Sequence, residues 1–133
     1  MDSKFIPENA ILTPNKKEFE ILFGMKFSKE VALEKAKEHN CIIVVKGPTT
    51  FVFNSDAVVE ITGGNAGMTK GGTGDVQAGL TAALLAKNDP TLAACTASYV
   101  IKAAADELYK TKGIYYNADD LANKIPEVLN NLL

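Results

Sequence analysis

Cys41-Ile42-Ile43-Val44-Val45 is an unbroken apolar run, β-branched at every position after the cysteine, and its reading decides the fold. A strand with one wet face alternates apolar and polar residues; a continuous run of this kind reads as a strand buried on both faces, as in a parallel sheet covered by helices. Working upstream, Ser28 is placed to cap a helix that runs to about His39, with Val31, Ala32, Leu33 and Ala36 as a modest apolar stripe and Lys and Glu opposite. Before that, Ala10-Ile11-Leu12 ends a short strand, and Thr13-Pro14-Asn15 turns the chain into a helix over about Lys16 to Phe23 with Gly24 at its C-terminal cap. Helix followed by buried strand is an α/β signature.

Downstream of Lys46-Gly47-Pro48, the segments Thr50 to Phe53 and Ala57 to Ile61 flank Asn54-Ser55-Asp56, which predicts an antiparallel hairpin beside the parallel part of the sheet. A glycine-rich loop then runs from Thr62 to Gly74. Two long, small-residue-rich helices are expected after it, Asp75 to Ala86 and Asp89 to about Tyr109, the second with Asp89 as N-cap and Pro90 at the first helical position. The final segment, Asn117 to Leu133, carries Leu121, Ile125, Val128 and Leu129 at helical spacing; Pro126 should interrupt it and leave two short helical pieces.

With 133 residues and 47% hydrophobic content, the chain can bury the core of one domain, residues 1–133, without disulfides or a structural metal. The net charge of −2, with both signs interspersed, provides no basic stripe and argues against nucleic acid as a partner. Cys41 and Cys95 lack metal or redox spacing and read as buried small hydrophobes, and no metal site is indicated. The lone His39 reads as a dipole partner at a helix C-terminus or a surface residue, Tyr115 and Tyr116 as core or pocket edge, and Asp119 with Asp120 as first-turn helix acids. No apolar N-terminal targeting segment is present and no apolar stretch approaches the ~20 residues of a membrane span. A cytosolic protein without a membrane partner is the expectation.

The chemistry concentrates in Gly63-Gly-Asn-Ala-Gly-Met-Thr-Lys-Gly-Gly-Thr-Gly-Asp75, which joins a strand to a strongly helical segment. Glycines before a helix N-terminus expose backbone amides at the positive end of the helix dipole, a setting that suits a phosphate or a developing anion. The stretch is neither a Walker A loop nor a dinucleotide-fold fingerprint. Asp75 is an acid where amides converge, and there it can serve as a general base for a hydroxyl while the amides of Gly72, Thr73 and Gly74 hold negative charge. The bland alternative is that Asp75 only caps the helix. Lys46, at the end of a buried strand where open α/β sheets place ligands, can neutralise phosphate or merely be solvated.

Asn65-Ala-Gly-Met-Thr-Lys-Gly-Gly-Thr-Gly-Asp75 resembles the signature of the ADP- or ATP-dependent NAD(P)H-hydrate dehydratases, of the ribokinase-like superfamily. Leu12-Thr-Pro-Asn-Lys-Lys-Glu18 resembles that family's Leu-Thr-Pro-His-x-Gly-Glu turn, and Val45-Lys-Gly-Pro-Thr-Thr50 its Lys-Gly-x-x-Thr turn. The resemblance implies the C-terminal half of a ribokinase-like three-layer α/β sandwich. It implies that Lys46, Gly47, Pro48, Thr49, Thr50 and Gly74 bind the nucleotide, that Asn15 and Asp75 contact the hydrate, and that Asp75 is the catalytic base; Asn65 and Met68 are candidate pocket residues. It further implies ADP or ATP with Mg²⁺, and NADH hydrate or NADPH hydrate as substrate. Asn15 stands where the family usually has histidine, and Lys17 where it has glycine.

The family's domain is longer, so the chain is read either as a fragment or as a half-length protein whose uncovered apolar sheet calls for a homo-oligomer or a complementing chain. Two other functions stay open at this level. The Gly-Thr-Gly-Asp element would equally serve a kinase for a vitamin precursor or sugar, and with half a pocket the chain could be a nucleotide-binding subunit without catalysis.

Overall fold

In a computed structural model describing residues 2–133, two layers of helices enclose a four-stranded mixed sheet. The elements are β1 (Ile11–Leu12), α1 (Lys16–Phe23), α2 (Lys29–His39), β2 (Ile42–Val45), β3 (Thr50–Phe53), β4 (Val58–Ile61), α3 (Thr73–Leu85), α4 (Pro90–Lys112) and α5 (Ala118–Leu132). The sheet order is β1-β2-β3-β4, with β1 parallel to β2 and the other pairs antiparallel.

Every residue of β2 is buried, because successive side chains enter different cores. Ile43 and Val45 pack with Phe19, Ala32, Ala36 and Phe53 under α1 and α2, whereas Ile42 and Val44 pack with Val52, Ile61 and Ala94 under α4. The registers Ile43↔Phe53 and Val44↔Val52 carry the same division into β3. Fully burying an aliphatic or aromatic side chain contributes about 1.5–3 kcal/mol, so a one-residue slip, which would exchange the two faces, is strongly disfavoured. A third cluster, Val100, Ile101, Ala104, Ala105, Leu108, Tyr116, Leu121 and Val128, packs α4 against α5, with Val76 and Leu80 of α3 on its flank.

Local signals set most element ends. Asn15 and Glu18 form a reciprocal capping box, the Asn15 side-chain oxygen accepting from Glu18 N at 2.8 Å and Asn15 N donating to Glu18 Oε1 at 3.0 Å. Ser28 caps α2 and Asp89 caps α4, with Pro90 at the start of α4. In the hairpin turn Asn54 Oδ1 accepts from Asp56 N and Ala57 N, both at 2.8 Å.

Four expectations are corrected. The final segment is one helix, not two pieces: Leu121 and Val128 are buried on the same cluster, while Pro126 and Ala122, whose carbonyl the missing N–H would have bonded, both face solvent. Water can satisfy that carbonyl, so the packing stripe runs through the proline. α3 begins at Thr73 rather than Asp75, and α4 continues to Lys112. Cys95 is only half-buried, while Cys41 is buried and its thiol is pushed up to about 11 by desolvation, leaving it protonated at neutral pH. His39 does close α2 as a basic residue of its last turn, as one of its two readings had it, and it is half-buried rather than a surface residue: its ring lies 5.8 Å from that of Phe23 and its Nε2 is buried without a partner among the described residues.

Among the described residues no helix is long and apolar enough to cross a membrane, and no group of three or more His, Cys, Asp or Glu residues is arranged to hold a metal ion.

Candidate functional site: a cleft between two turns

The C-terminal end of β2 and the N-terminus of α3 face one another across a cleft of about 1030 Å³. Its lining includes Thr13, Asn15 and Glu18 from the first turn, Lys46, Gly47, Pro48 and Thr50 from the second, and Asn65, Met68, Gly72, Gly74 and Asp75 from the glycine-rich loop. Thr49 lines an adjoining hollow of about 480 Å³ together with Lys16, Lys17, Phe27 and Phe51. The folded chain thus brings together on one concave surface segments far apart in sequence.

The first two turns meet because the parallel pairing of β1 and β2 continues one step beyond the strands. Asn15 bridges Lys46, and Lys46 N donates to Pro14 O at 2.9 Å. Asn15 spends its side-chain oxygen on the helix cap, and among the described residues its Nδ2 has no partner, so the amide NH₂ is the group it can offer a ligand. Glu18, which the sequence reading did not single out as a site residue, lines the cleft beside it.

At the third segment, Gly72 adopts φ +91°, a left-handed conformation that lets it close the loop and open α3 as a cap without a side chain. Thr73 reinforces the turn, its Oγ1 donating 2.7 Å to Met68 O or 2.9 Å to Lys70 O. The first amide of α3 with a helical partner is that of Val76, onto Gly72 O at 3.1 Å. Among the described residues the amides of Thr73, Gly74 and Asp75 donate to no protein acceptor, and they form an unpaired helix N-terminus. Lys46 adds a positive charge: its Nζ lies 2.9 Å from where a Cβ on Gly74 would sit. Asp75 is the third residue of α3, exposed, with no side-chain hydrogen bond or ion pair among the described residues. Its side chain makes no capping hydrogen bond, and it stands as an acid in the first turn, at the positive end of the helix dipole.

Beneath the loop lies a polar network that the sequence reading missed. Asn65 Nδ2 donates to Ala105 O at 3.0 Å and to Asp106 Oδ1 at 3.1 Å, while its Oδ1 accepts from Gly67 N at 3.0 Å and Tyr116 OH at 2.6 Å. Asp106 Oδ2 accepts from Gly64 N at 3.0 Å, and Lys70 Nζ donates to the carbonyls of Ile114 and Tyr116. Desolvation, together with the Asp106 carboxylate, raises the Tyr116 hydroxyl pKa, partly offset by the bond to Asn65, so the hydroxyl stays a donor. Tyr115, by contrast, is exposed.

Lys102 of α4, 4% exposed, reaches the back of the cleft and donates to Gly47 O, Pro48 O and Gly63 O, each at 3.0 Å. Burial lowers its pKa, and the Asp106 carboxylate one turn along partly restores it. The signal was present in the sequence: a lysine inside the apolar run Val100-Ile-Lys-Ala-Ala-Ala105, with an acid four residues on, is too buried by its stripe to be solvated.

A family profile described as NAD(P)H-hydrate dehydratase matches residues 3–127. Among curated relatives, the "Bifunctional NAD(P)H-hydrate repair enzyme Nnr" of Methanocaldococcus jannaschii is 43% identical over 122 residues, covering 92% of this chain and 23% of that protein. The "ADP-dependent (S)-NAD(P)H-hydrate dehydratase" of Cenarchaeum symbiosum is 33% identical, covering 92% of this chain and 45% of its own length. Among solved structures, the ADP/ATP-dependent NAD(P)H-hydrate dehydratase of Bacillus subtilis, co-crystallised with ATP/Mg²⁺, superposes with a TM-score of 0.88 at 28% identity, over 94% of this chain and 48% of that one. The chain therefore has the ribokinase-like fold over about half the length of such structures, and it spans less than half of these curated relatives.

Proposed function

Since this chain belongs to the NAD(P)H-hydrate dehydratase family, we propose that its cleft binds ADP or ATP together with hydrated NADH or NADPH and removes water from the hydrate. The observation that carries the reading is the exposed, unpartnered Asp75 carboxylate next to the unpaired amides of Thr73, Gly74 and Asp75, with the Lys46 ammonium over Gly74. In this reading the hydrate's hydroxyl oxygen bonds to the terminal phosphorus, the bond from that phosphorus to the departing nucleotide breaks, and Asp75 takes the hydroxyl proton. The amides and Lys46 carry the charge of the moving phosphoryl group. Phosphate then leaves from the ring carbon as a proton leaves its neighbour, which restores the double bond. Lys46 to Thr50 and Gly74 would contact the nucleotide, Asn15 the hydrate, and Asn65 and Met68 would shape the pocket floor.

Mg²⁺ bound with the nucleotide would supply charge neutralisation at the phosphates. Such an ion keeps several waters and needs only one or two protein carboxylates, which suits a cleft whose lining offers Glu18 beside the proposed base.

The test is incubation with NADH hydrate, ADP or ATP and Mg²⁺, following phosphate release and the reduced-nicotinamide absorbance together. The expected outcome is that both rise in step. A stable phosphorylated product would replace the dehydratase by a kinase, and nucleotide binding without turnover would leave a binding subunit.

A partner chain is part of the same proposal. Among the described residues the outer edge of β1 pairs with no strand, and beside it Ile11 and Cys95 sit half-buried against Ile42, Val44 and Ala94. Cys95 lies on one stripe of α4 with the exposed Leu92 and Tyr99. A second copy or a complementing chain would cover this edge. Light scattering is expected to give a mass above the 14.2 kDa of one chain, or above it once the complementing chain is added; a monomer in both samples would end the idea.

A further inference from the structure

We infer that Lys102 is a positioning residue of the cleft: its ammonium ties the Gly47-Pro48 turn to the Gly63 end of the glycine-rich loop, so that both walls of the site arrive at a fixed separation. The inference rests on the reading of this cleft as a nucleotide site. An ammonium has three N–H donors, and the three carbonyls of Gly47, Pro48 and Gly63 take all of them. Nothing is left over for a phosphate, and at 4% exposure Lys102 is not a ligand-binding lysine like Lys46.

The β3–β4 ladder brings the two turns to the same end of the sheet, with Thr50↔Ile61 as its last pair, and the tie carries the join beyond it. β3 and β4 separate the two turns in sequence, and at this level the chain has left the sheet on both sides. Gly47 and Pro48 are exposed, so the lysine is what holds their carbonyls inward. Gly64 follows at φ +80°, where an added Cβ would stand 3.2 Å from Lys102 Cγ, so the aliphatic stem also packs against the loop. One turn later on α4, Asp106 accepts from Gly64 N and from the Asn65 side chain. Helix α4 therefore grips the loop by a cation on the Gly63 carbonyl and an anion on the Gly64 amide and the Asn65 side chain. The helix does not need Lys102 for its own seat, because Val100, Ile101, Ala104 and Ala105 are buried beside it.

The test is the K102M substitution, which keeps the stem and removes the donors. Affinity for ADP and for ATP is measured by calorimetry at a temperature where circular dichroism shows both proteins folded, and amide hydrogen exchange is measured without nucleotide. The expected result is a loss of about tenfold or more in nucleotide affinity, the penalty of ordering loops on binding, with faster exchange confined to Gly47–Thr50 and Gly63–Gly72. A purely structural lysine would lower the melting temperature but leave the affinity of the folded protein within about twofold, and that result overturns the inference.

Should the wild-type chain bind no nucleotide, the proposed function fails and exchange alone decides: faster exchange at the two loops, with α2 and α5 unchanged, upholds the tie, and unchanged exchange overturns it. Should K102M not fold, K102Q, which is uncharged, one atom shorter and leaves at least one of the three carbonyls without a donor, is put through the same measurements, and wild-type affinity and exchange in that variant overturn the inference.

Discussion

Replacing Asp75 by asparagine is expected to lower turnover by about 10²–10⁴-fold while leaving nucleotide affinity within about twofold, because it removes a general base and little else. Asparagine matches the shape of aspartate, and the exposed Asp75 side chain supports no hydrogen bond or ion pair among the described residues that the change could break. The groups proposed to hold the anion are backbone amides of Thr73, Gly74 and residue 75, which the substitution keeps. Removing a negative charge next to an anion site, at the positive end of α3, would if anything tighten phosphate binding. A loss of rate with affinity preserved is therefore the pattern of a base, whereas a parallel loss of both would mark a residue that shapes the site. Steady-state rates with NADH hydrate, alongside calorimetric binding of ADP, separate the two; full turnover in Asp75→Asn would remove Asp75 from the chemistry.

The second large effect is on stability, at Gly67. A Cβ added there would stand 2.5, 2.6 and 2.7 Å from Cε1, Cζ and the hydroxyl oxygen of Tyr116. The ring cannot easily retreat: Tyr116 is 1% exposed, packed in the cluster with Leu121 and Val128, and its hydroxyl donates to Asn65 Oδ1 at 2.6 Å. Overpacking of this kind costs about 1–3 kcal/mol or more, and here it also strains a hydrogen-bonded network. Gly67→Ala is expected to lower the melting temperature by roughly 5–10 °C, taking a few degrees per kcal/mol for a domain of this size. Gly79→Ala is the internal control. It lies in α3 with nothing within 4 Å of the added Cβ, and alanine in a helix interior gains roughly 0.5–1 kcal/mol over glycine. Melting curves that coincide for Gly67→Ala and wild type would show that the loop does not lie on Tyr116.

The proposed nucleotide binding and the stability thus converge on one short loop. Its upper side offers amides and Asp75 to the cleft, and its underside is fixed to α4 and Tyr116 through Asn65, Gly64 and Gly67. Such division of labour is physically reasonable, since amides that bind an anion without reorganising must be held by contacts on their other face.

The sequence by itself determined the elements and the chemical vocabulary of the site. Capping residues, a β-branched run and glycines act on their immediate neighbours, so α1, α2, β2 and the hairpin were legible, and so was the Gly-Thr-Gly-Asp turn. Where a local rule met a long-range one, it failed: Pro126 does not end α5, because burial of Leu121 and Val128 on one cluster holds both halves in line and the unpaired carbonyl faces water. Only the tertiary structure decided what stands behind the cleft. Lys102 meets Gly47 from 55 positions away and Tyr116 meets Asn65 from 51, distances over which no periodicity reaches. Those contacts exist because the burial of the apolar faces of the sheet and of the α4–α5 cluster brings these polar groups within reach of one another.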